Sequence, residues 1–198
     1  MSRIMDYILN MLPYMLISLP IIIVVRVIAV SVFKKKGIKT SQWHEIGLVL
    51  FAVFLVGLAS QTIIPKIEFG VGGLNIVNHN LESKINLIPG QVFVDTWREC
   101  VINGYWNYLI INFIGNICMF VPIGFCIPLL WNGILFWKTT LIGLGTSLFI
   151  ELYQIPQVRG SDVDDLWLNT LGVVIGYVLF KSFKRLSKEL DLKFKVKR

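Results

Sequence analysis

Long apolar runs broken by short polar punctuation dominate the pattern of this chain. Five such runs are visible, at 8–32, 45–64, 107–130, 136–155 and 165–182. Each is close to the roughly 20 residues that a helix needs to cross a bilayer core. The pattern predicts an all-α membrane protein, a five-helix transmembrane bundle. Short connections after 32, 130 and 155 make consecutive helices antiparallel neighbours. Only 65–106 is long enough to form a sizeable loop outside the membrane. Its first half, KIEFGVGGLNIVNHNLESK, mixes Gly, Asn and short β-branched runs, as a small hairpin or an irregular segment would. Pro89–Gly90 then marks a turn. Phe93, Trp97, Val101 and Tyr105 recur at helical spacing, with Asp95, Arg98 and Glu99 off that stripe. This predicts a short amphipathic helix, either lying in the membrane interface or capping the bundle.

Composition sharpens the picture. Only 16% of residues are charged, against about a quarter in soluble domains, and mean hydropathy is +0.69. The net charge of +7 would suit nucleic acid, but its placement points elsewhere. Lys34, Lys35, Lys36 and Lys39 separate the first two runs; Lys181, Lys184, Arg185, Lys188, Lys193, Lys195, Lys197 and Arg198 follow the last. Five spans put both clusters on one side, and the positive-inside rule makes that side cytoplasmic. The N-terminus and the loop 65–106 are then outside, and the C-terminus inside. The first run is too long for a signal peptide and its lysines lie on the wrong flank. Arg26 lies about 9 Å from the cytoplasmic end of its helix, within reach of the interface by snorkelling. The chain thus divides into 1–44, a first helix with its basic loop; 45–182, a four-helix membrane domain; and 183–198, a basic tail drawn to anionic lipid headgroups.

The three cysteines form no framework: Cys118 and Cys126 fall in the third run, and Cys100 stands in the outer loop, where an impermeant thiol reagent should reach it. His44 and His79 are far apart, and neither a metal-binding spacing nor a cofactor motif is present.

The charge that does enter the apolar runs is concentrated in FIELYQIPQVRGSDVDDLWLNT at 149–170. Along the fourth run, Gly143, Ser147, Glu151 and Gln154 share one helical face; along the fifth, Asp165, Asn169, Gly172 and Gly176 do; along the third, Asn112, Gly115, Asn116 and Met119 do. Small residues permit close helix approach, and Gly172–Gly176 has the spacing for it. These faces therefore turn inward, toward one polar chamber opening at the outer end. A carboxylate such as Glu151 is costly in hydrocarbon and needs a partner or a proton. A Glu151–Arg159 pair, completed by Asp165, Asn112, Asn116 and Asn169, would supply one. Structural readings stand beside this: Ser161 and Asp164 have capping-box spacing, acidic residues in a first turn suit the helix dipole, and the asparagines could simply bond between helices. Asp162, Asp164 and Asp165 together are weak candidates for holding Mg²⁺ or Ca²⁺.

NLIPG at 86–90, NFIGNICMFVPIGF at 112–125 and FIELYQIPQVRGSDVDDLWLNTLGVVIGY at 149–177 resemble the VanZ-like family, bacterial membrane proteins named for one that contributes to teicoplanin resistance. The likeness runs from about 45 to 180 and leaves the first helix uncovered; Gly90 stands where the family usually has Phe. It implies that Asn86, Asn112, Asn116, Glu151, Gln154, Arg159, Asp162, Asp164, Asp165 and Asn169 are functional, most of them already selected by helical face. It also implies a bacterial cell-membrane location and a link to glycopeptide susceptibility, without implying a reaction. Three readings remain open. The chamber binds or modifies an envelope lipid, a lipid-linked cell-wall precursor or a lipoglycopeptide; it is an intramembrane hydrolase or transferase with Glu151 and Asp165 as acid and base; or the network only holds a structural or accessory subunit together.

Overall fold

In the computed structural model, residues 3–64, 67–70, 73–76, 86–155 and 162–196 are described. They form an all-α membrane protein with one small hairpin. Helices α1 (Arg3–Lys35) and α2 (Gln42–Thr62) run antiparallel. Met11 and Met15 lie against Gly57 near one end of the pair, and Arg26 meets Glu45 near the other. Strands β1 (Ile67–Gly70) and β2 (Gly73–Ile76) pair antiparallel, with Ile67 opposite Ile76. Helix α3 (Gln91–Trp97) runs on into a π-helical turn at Arg98–Ile102. The third span begins with α4 (Trp106–Tyr108), loosens into a second π-helical stretch at Leu109–Ile114, and continues as α5 (Gly115–Leu130). Helices α6 (Phe136–Gln154) and α7 (Val163–Leu186) complete the bundle, and α8 (Lys188–Lys193) follows a break at Ser187.

Of the five long helices, α1, α2, the third span and α7 are long and apolar enough to cross a membrane. The fifth, α6, has the length but carries Thr139, Thr140, Thr146, Ser147, Glu151 and Gln154. Its polar side is accommodated because Thr139, Ser147 and Glu151 are buried within the bundle.

Packing is tightest between α5 and α7, which run parallel. Gly172 faces the backbone of Ile117, and Gly176 that of Val121. A Cβ at Gly124, Gly172 or Gly176 would sit well under 3.0 Å from backbone atoms of the opposing helix. Glycine at these positions sets the distance between the two axes. Helix α6 is antiparallel to α7, with Gly143 against Val173 and Ser147 beside Asn169. Phe51, Leu58, Phe120, Ile123, Ile127, Ile150 and Val173 fill the space between α2, α5, α6 and α7. By contrast α1 rests on α2, and none of its apolar span is buried. Exposed Leu16, Ile17 and Ile21 suit contact with acyl chains.

At the basic end, the segment after α7 folds back over the bundle. Phe194 packs on Trp43 and fills the space beside Gly47. Its carbonyl lies 2.7 Å from His44 Nδ1, and Ser41 Oγ donates to the carbonyl of Lys193. Lys195 Nζ donates to the carbonyl of Pro128 in the last turn of α5, where helical carbonyls lack partners of their own. Buried Asp191 lies 3.7 Å from both Lys184 and Lys195. Arg26 has a partner within the bundle: Nε and Nη2 donate to Glu45 Oε2 at 2.9 and 2.7 Å, so the two charges face each other between α1 and α2.

Helix α3 and its π-helical turn pack on the bundle by one side and leave an apolar stripe exposed on the other. Val92 and Cys100 are buried against the bundle, while Phe93, Trp97 and Val101 are more than half exposed. Burial of Cys100, whose Sγ is 3.7 Å from the carbonyl of Tyr105, corrects the expectation that a reagent would reach it readily.

Candidate functional site

At the end of the bundle opposite the folded-back tail, α1, α2, the third span, α6 and α7 surround a cavity of about 550 Å³. Asn112, Asn116, Glu151, Gln154, Asp165 and Asn169 all border it. Each arrives there for a local reason. The i, i+4 spacing of Asp165 and Asn169 places both on the face of α7 that carries Gly172 and Gly176. Asn112 comes from the π-helical stretch of the third span, one turn before Asn116. Asn116 Nδ2 bonds the carbonyl of Asn112 at 3.1 Å and also donates to Asp165 Oδ1. That second bond ties the third span to α7 at the rim of the cavity.

On the α6 side, Asn169 Nδ2 donates to Ser147 Oγ at 2.9 Å. Asn169 is 5% exposed, and its Oδ1 has no hydrogen-bond partner among the described residues. A buried acceptor left in this state is costly, on the order of 1–3 kcal/mol. Glu151 is buried too, and its Oε2 accepts from the backbone N–H of Asp162 at 3.1 Å. Gln154 Nε2 donates to the carbonyl of Thr62 at 3.0 Å, fastening α6 to the end of α2.

The remaining predicted residues form the surround of this cavity. Asp162 is the N-cap of α7, its Oδ1 accepting from Asp164 N at 2.9 Å, a role that the capping-box spacing assigned to Ser161. Asn86 Nδ2 donates to the same Asp162 oxygen at 3.0 Å, and Asn86 O accepts from Val163 N. The NLIPG segment is thereby stitched to the start of α7. Asp164 turns away from the cavity. Fully buried, it accepts from the backbone N–H groups of Gly90 and Val92 at 2.7 and 2.8 Å and from Trp167 Nε1 at 2.8 Å. This carboxylate anchors the start of α3. The three aspartates therefore point to three different sets of partners. No group of three or more metal-type side chains converges among the described residues, so the weak divalent-cation candidates are not brought together. Arg159, and with it the predicted pairing to Glu151, lies outside the described residues, as does Ser161.

Helical-face reasoning missed several contributors. Gln61 and Thr62, at the end of α2, line the cavity; their only signal was the polar stretch 60–62 late in an apolar run. Phe93, Phe113 and Trp167 form an aromatic cluster with ring centroids 5.5 to 6.1 Å apart. It joins three segments that sequence spacing cannot relate.

Compared with known proteins, residues 47–184 match the family model described as VanZ/LLP1. No curated protein and no solved structure matches the chain.

Proposed function

Since the chain belongs to the VanZ/LLP1 family and is a multi-pass membrane protein, we propose that it binds an amphiphile of the bacterial cell envelope in this cavity and thereby alters glycopeptide susceptibility, teicoplanin above all. The observation that carries this reading is the gathering of seven carboxylate and carboxamide side chains, Gln61 among them, around one cavity whose remaining wall is apolar apart from Thr62. A volume of about 550 Å³ falls in the range of small-molecule sites, enough for a head group or part of a chain. Candidate ligands are a membrane lipid, a lipid-linked cell-wall precursor or an acylated glycopeptide. The flanking basic clusters favour a cytoplasmic tail and an external N-terminus, which would open the cavity toward the outer leaflet.

Glu151 and Asp165 bordering the same cavity favour a second reading, an intramembrane hydrolase or transferase in which one acts as acid and the other as base. Cells producing the protein, its Glu151→Gln form or its Asp165→Asn form separate these readings from a purely structural role. A binding or catalytic site predicts that each substitution removes the change in teicoplanin susceptibility while the protein accumulates normally. Turnover of a labelled lipid precursor, lost in both variants, would select the enzyme. Parallel loss of accumulation and phenotype would leave only the structural subunit.

A further inference from the structure

Helix α3 and its π-helical turn at Arg98–Ile102 carry their polarity reversed for a segment lying in water. Val92 and Cys100 are buried, and Gln91, Asp95, Thr96 and Glu99 are half-buried beside them. Gln91 Nε2 donates to Asp95 Oδ1 at 2.9 Å, and Asp95 and Glu99 lie within electrostatic reach of Tyr108 at the start of the third span. The opposite arc holds Phe93, Val94, Trp97 and Val101, each more than half exposed. At about 100° per residue, no polar side chain falls among them. A helix packed on a core in water shows the opposite arrangement, with its apolar face inward and its charged face outward. None of the four borders the cavity, so their exposed surface lies outside it.

Depth along the bundle identifies what covers this arc. The Phe93 ring stands 5.6 Å from that of Phe113 and 5.5 Å from that of Trp167, centroid to centroid. Phe113 lies about 10 Å of helical rise inside the end of the third span at Trp106. Trp167 lies in the second turn of α7. These spans of 25 and 24 residues exceed a core of ~30 Å by only a few ångströms at each end, so both ring partners of Phe93 sit below the head groups. Asp164 pins the helix at that level by accepting from Gly90 and Val92. The segment rejoins the third span through exposed Tyr105 and Trp106, ring types enriched where lipid meets water.

We propose that α3 and its π-helical turn are sunk sideways into the leaflet at the cavity end of the bundle, with Phe93, Val94, Trp97 and Val101 among acyl chains and the polar stripe turned toward the third span. Arg98, whose side chain is 58% exposed, borders the apolar arc and reaches the head groups by snorkelling. A second copy or a soluble protein would have to displace lipid to cover the arc, whereas the spans themselves bring the bilayer to it. The placement does not depend on what the cavity binds.

The test uses the full-length protein in liposomes of phosphatidylglycerol and phosphatidylethanolamine. Val94→Cys and Val101→Cys each carry a nitroxide, in a background of Cys118→Ala and Cys126→Ala whose own spectrum is subtracted. Power saturation compares collisions with oxygen, which concentrates in hydrocarbon, and with a neutral nickel chelate, which stays in water. Ile17→Cys on the exposed face of α1 supplies the lipid reference, and Lys36→Cys in the basic loop the aqueous one. Both labels on the arc should match Ile17, with high oxygen and low nickel collision rates. Nickel access equal to that at Lys36 overturns the proposal by placing the arc in water. Protection from both reagents overturns it equally, because it would place a protein surface, such as a second copy, over the arc. The unaltered protein supplies a check free of substitutions: trace phosphatidylglycerol with a photoreactive diazirine in its acyl chain should leave adducts on Phe93, Trp97 and Val101 as it does on Ile17. Adducts on Ile17 with none on these three would sink the proposal even if the cysteine variants failed to accumulate.

Discussion

Replacing Gly172 by Ala tests whether the α5/α7 distance is set by glycine. The new methyl carbon would lie well under 3.0 Å from the carbonyl group of Ile117. Backbone cannot swing aside as a side chain can, so the helices must separate by on the order of 1 Å to restore ordinary contact. Overpacking of this kind costs about 1–3 kcal/mol. It weighs heavily in a membrane, where close packing is a main force between helices. Alanine's better helix propensity, about 1 kcal/mol, acts in the opposite direction. Gly145→Ala isolates that opposing effect, because a Cβ there meets nothing within 4 Å and the site is exposed. Unfolding of purified protein in mixed micelles by rising dodecyl sulfate, followed through tryptophan fluorescence, reads the difference. Gly172→Ala and Gly176→Ala should each fall about 1–3 kcal/mol below Gly145→Ala, or about 2–4 °C in Tm per kcal/mol. Unfolding of either interface variant at the same midpoint as Gly145→Ala would refute the close approach on which the position of Asp165 and Asn169 depends.

Asp164→Asn should loosen the start of α3 without unfolding the bundle, since hydrogen bonds to a charged acceptor contribute about 1.5–3 kcal/mol each. Hydrogen exchange across 86–97 should rise about ten- to a hundredfold, and unchanged exchange would contradict the anchoring role. Lys195 is held below the usual lysine range by burial and then by Lys184, with Asp191 opposing. The folded state therefore releases this proton before the unfolded chain does, at 10.5. The unfolded state binds more protons across that window, so stability rises as pH climbs from the lowered value toward 10.5. Lys195→Met should flatten the rise in exchange protection of 188–196; an identical slope in the variant would count against it. For orientation, a cysteine replacing exposed Asn103 should react with an impermeant maleimide in intact cells, and one replacing Lys36 only after permeabilisation. The reverse pattern would invert the proposed topology.

The spans were legible because apolar runs of bilayer length leave few alternatives. The cavity was legible because Glu151 and Gln154 on α6, and Asp165 and Asn169 on α7, repeat at helical spacing beside glycines. The direction of Asp164 was not legible. It lies beside Asp165 in sequence, but one residue is about 100° around a helix, and its partners Gly90 and Val92 belong to a segment more than 70 residues away. Nor could charge spacing show that Arg26 meets Glu45, which requires the register of α1 on α2. The docking of the tail was not legible for a related reason. Seven basic residues after 183 read as a run drawn to lipid headgroups, whereas Phe194 and Asp191, single residues within it, decide where it docks.

That docking joins two stretches lying just outside the family-matched region of 47–184: Ser41, Trp43 and His44 before it, and Lys193 to Val196 after it. A version trimmed to the shared family region would therefore bare the groove at Gly47 and Leu130 to water or detergent. Tags, fusion partners and truncations placed near this end would perturb a load carried by α2 and α5 together, and so reach the helices that frame the cavity at the far side of the membrane.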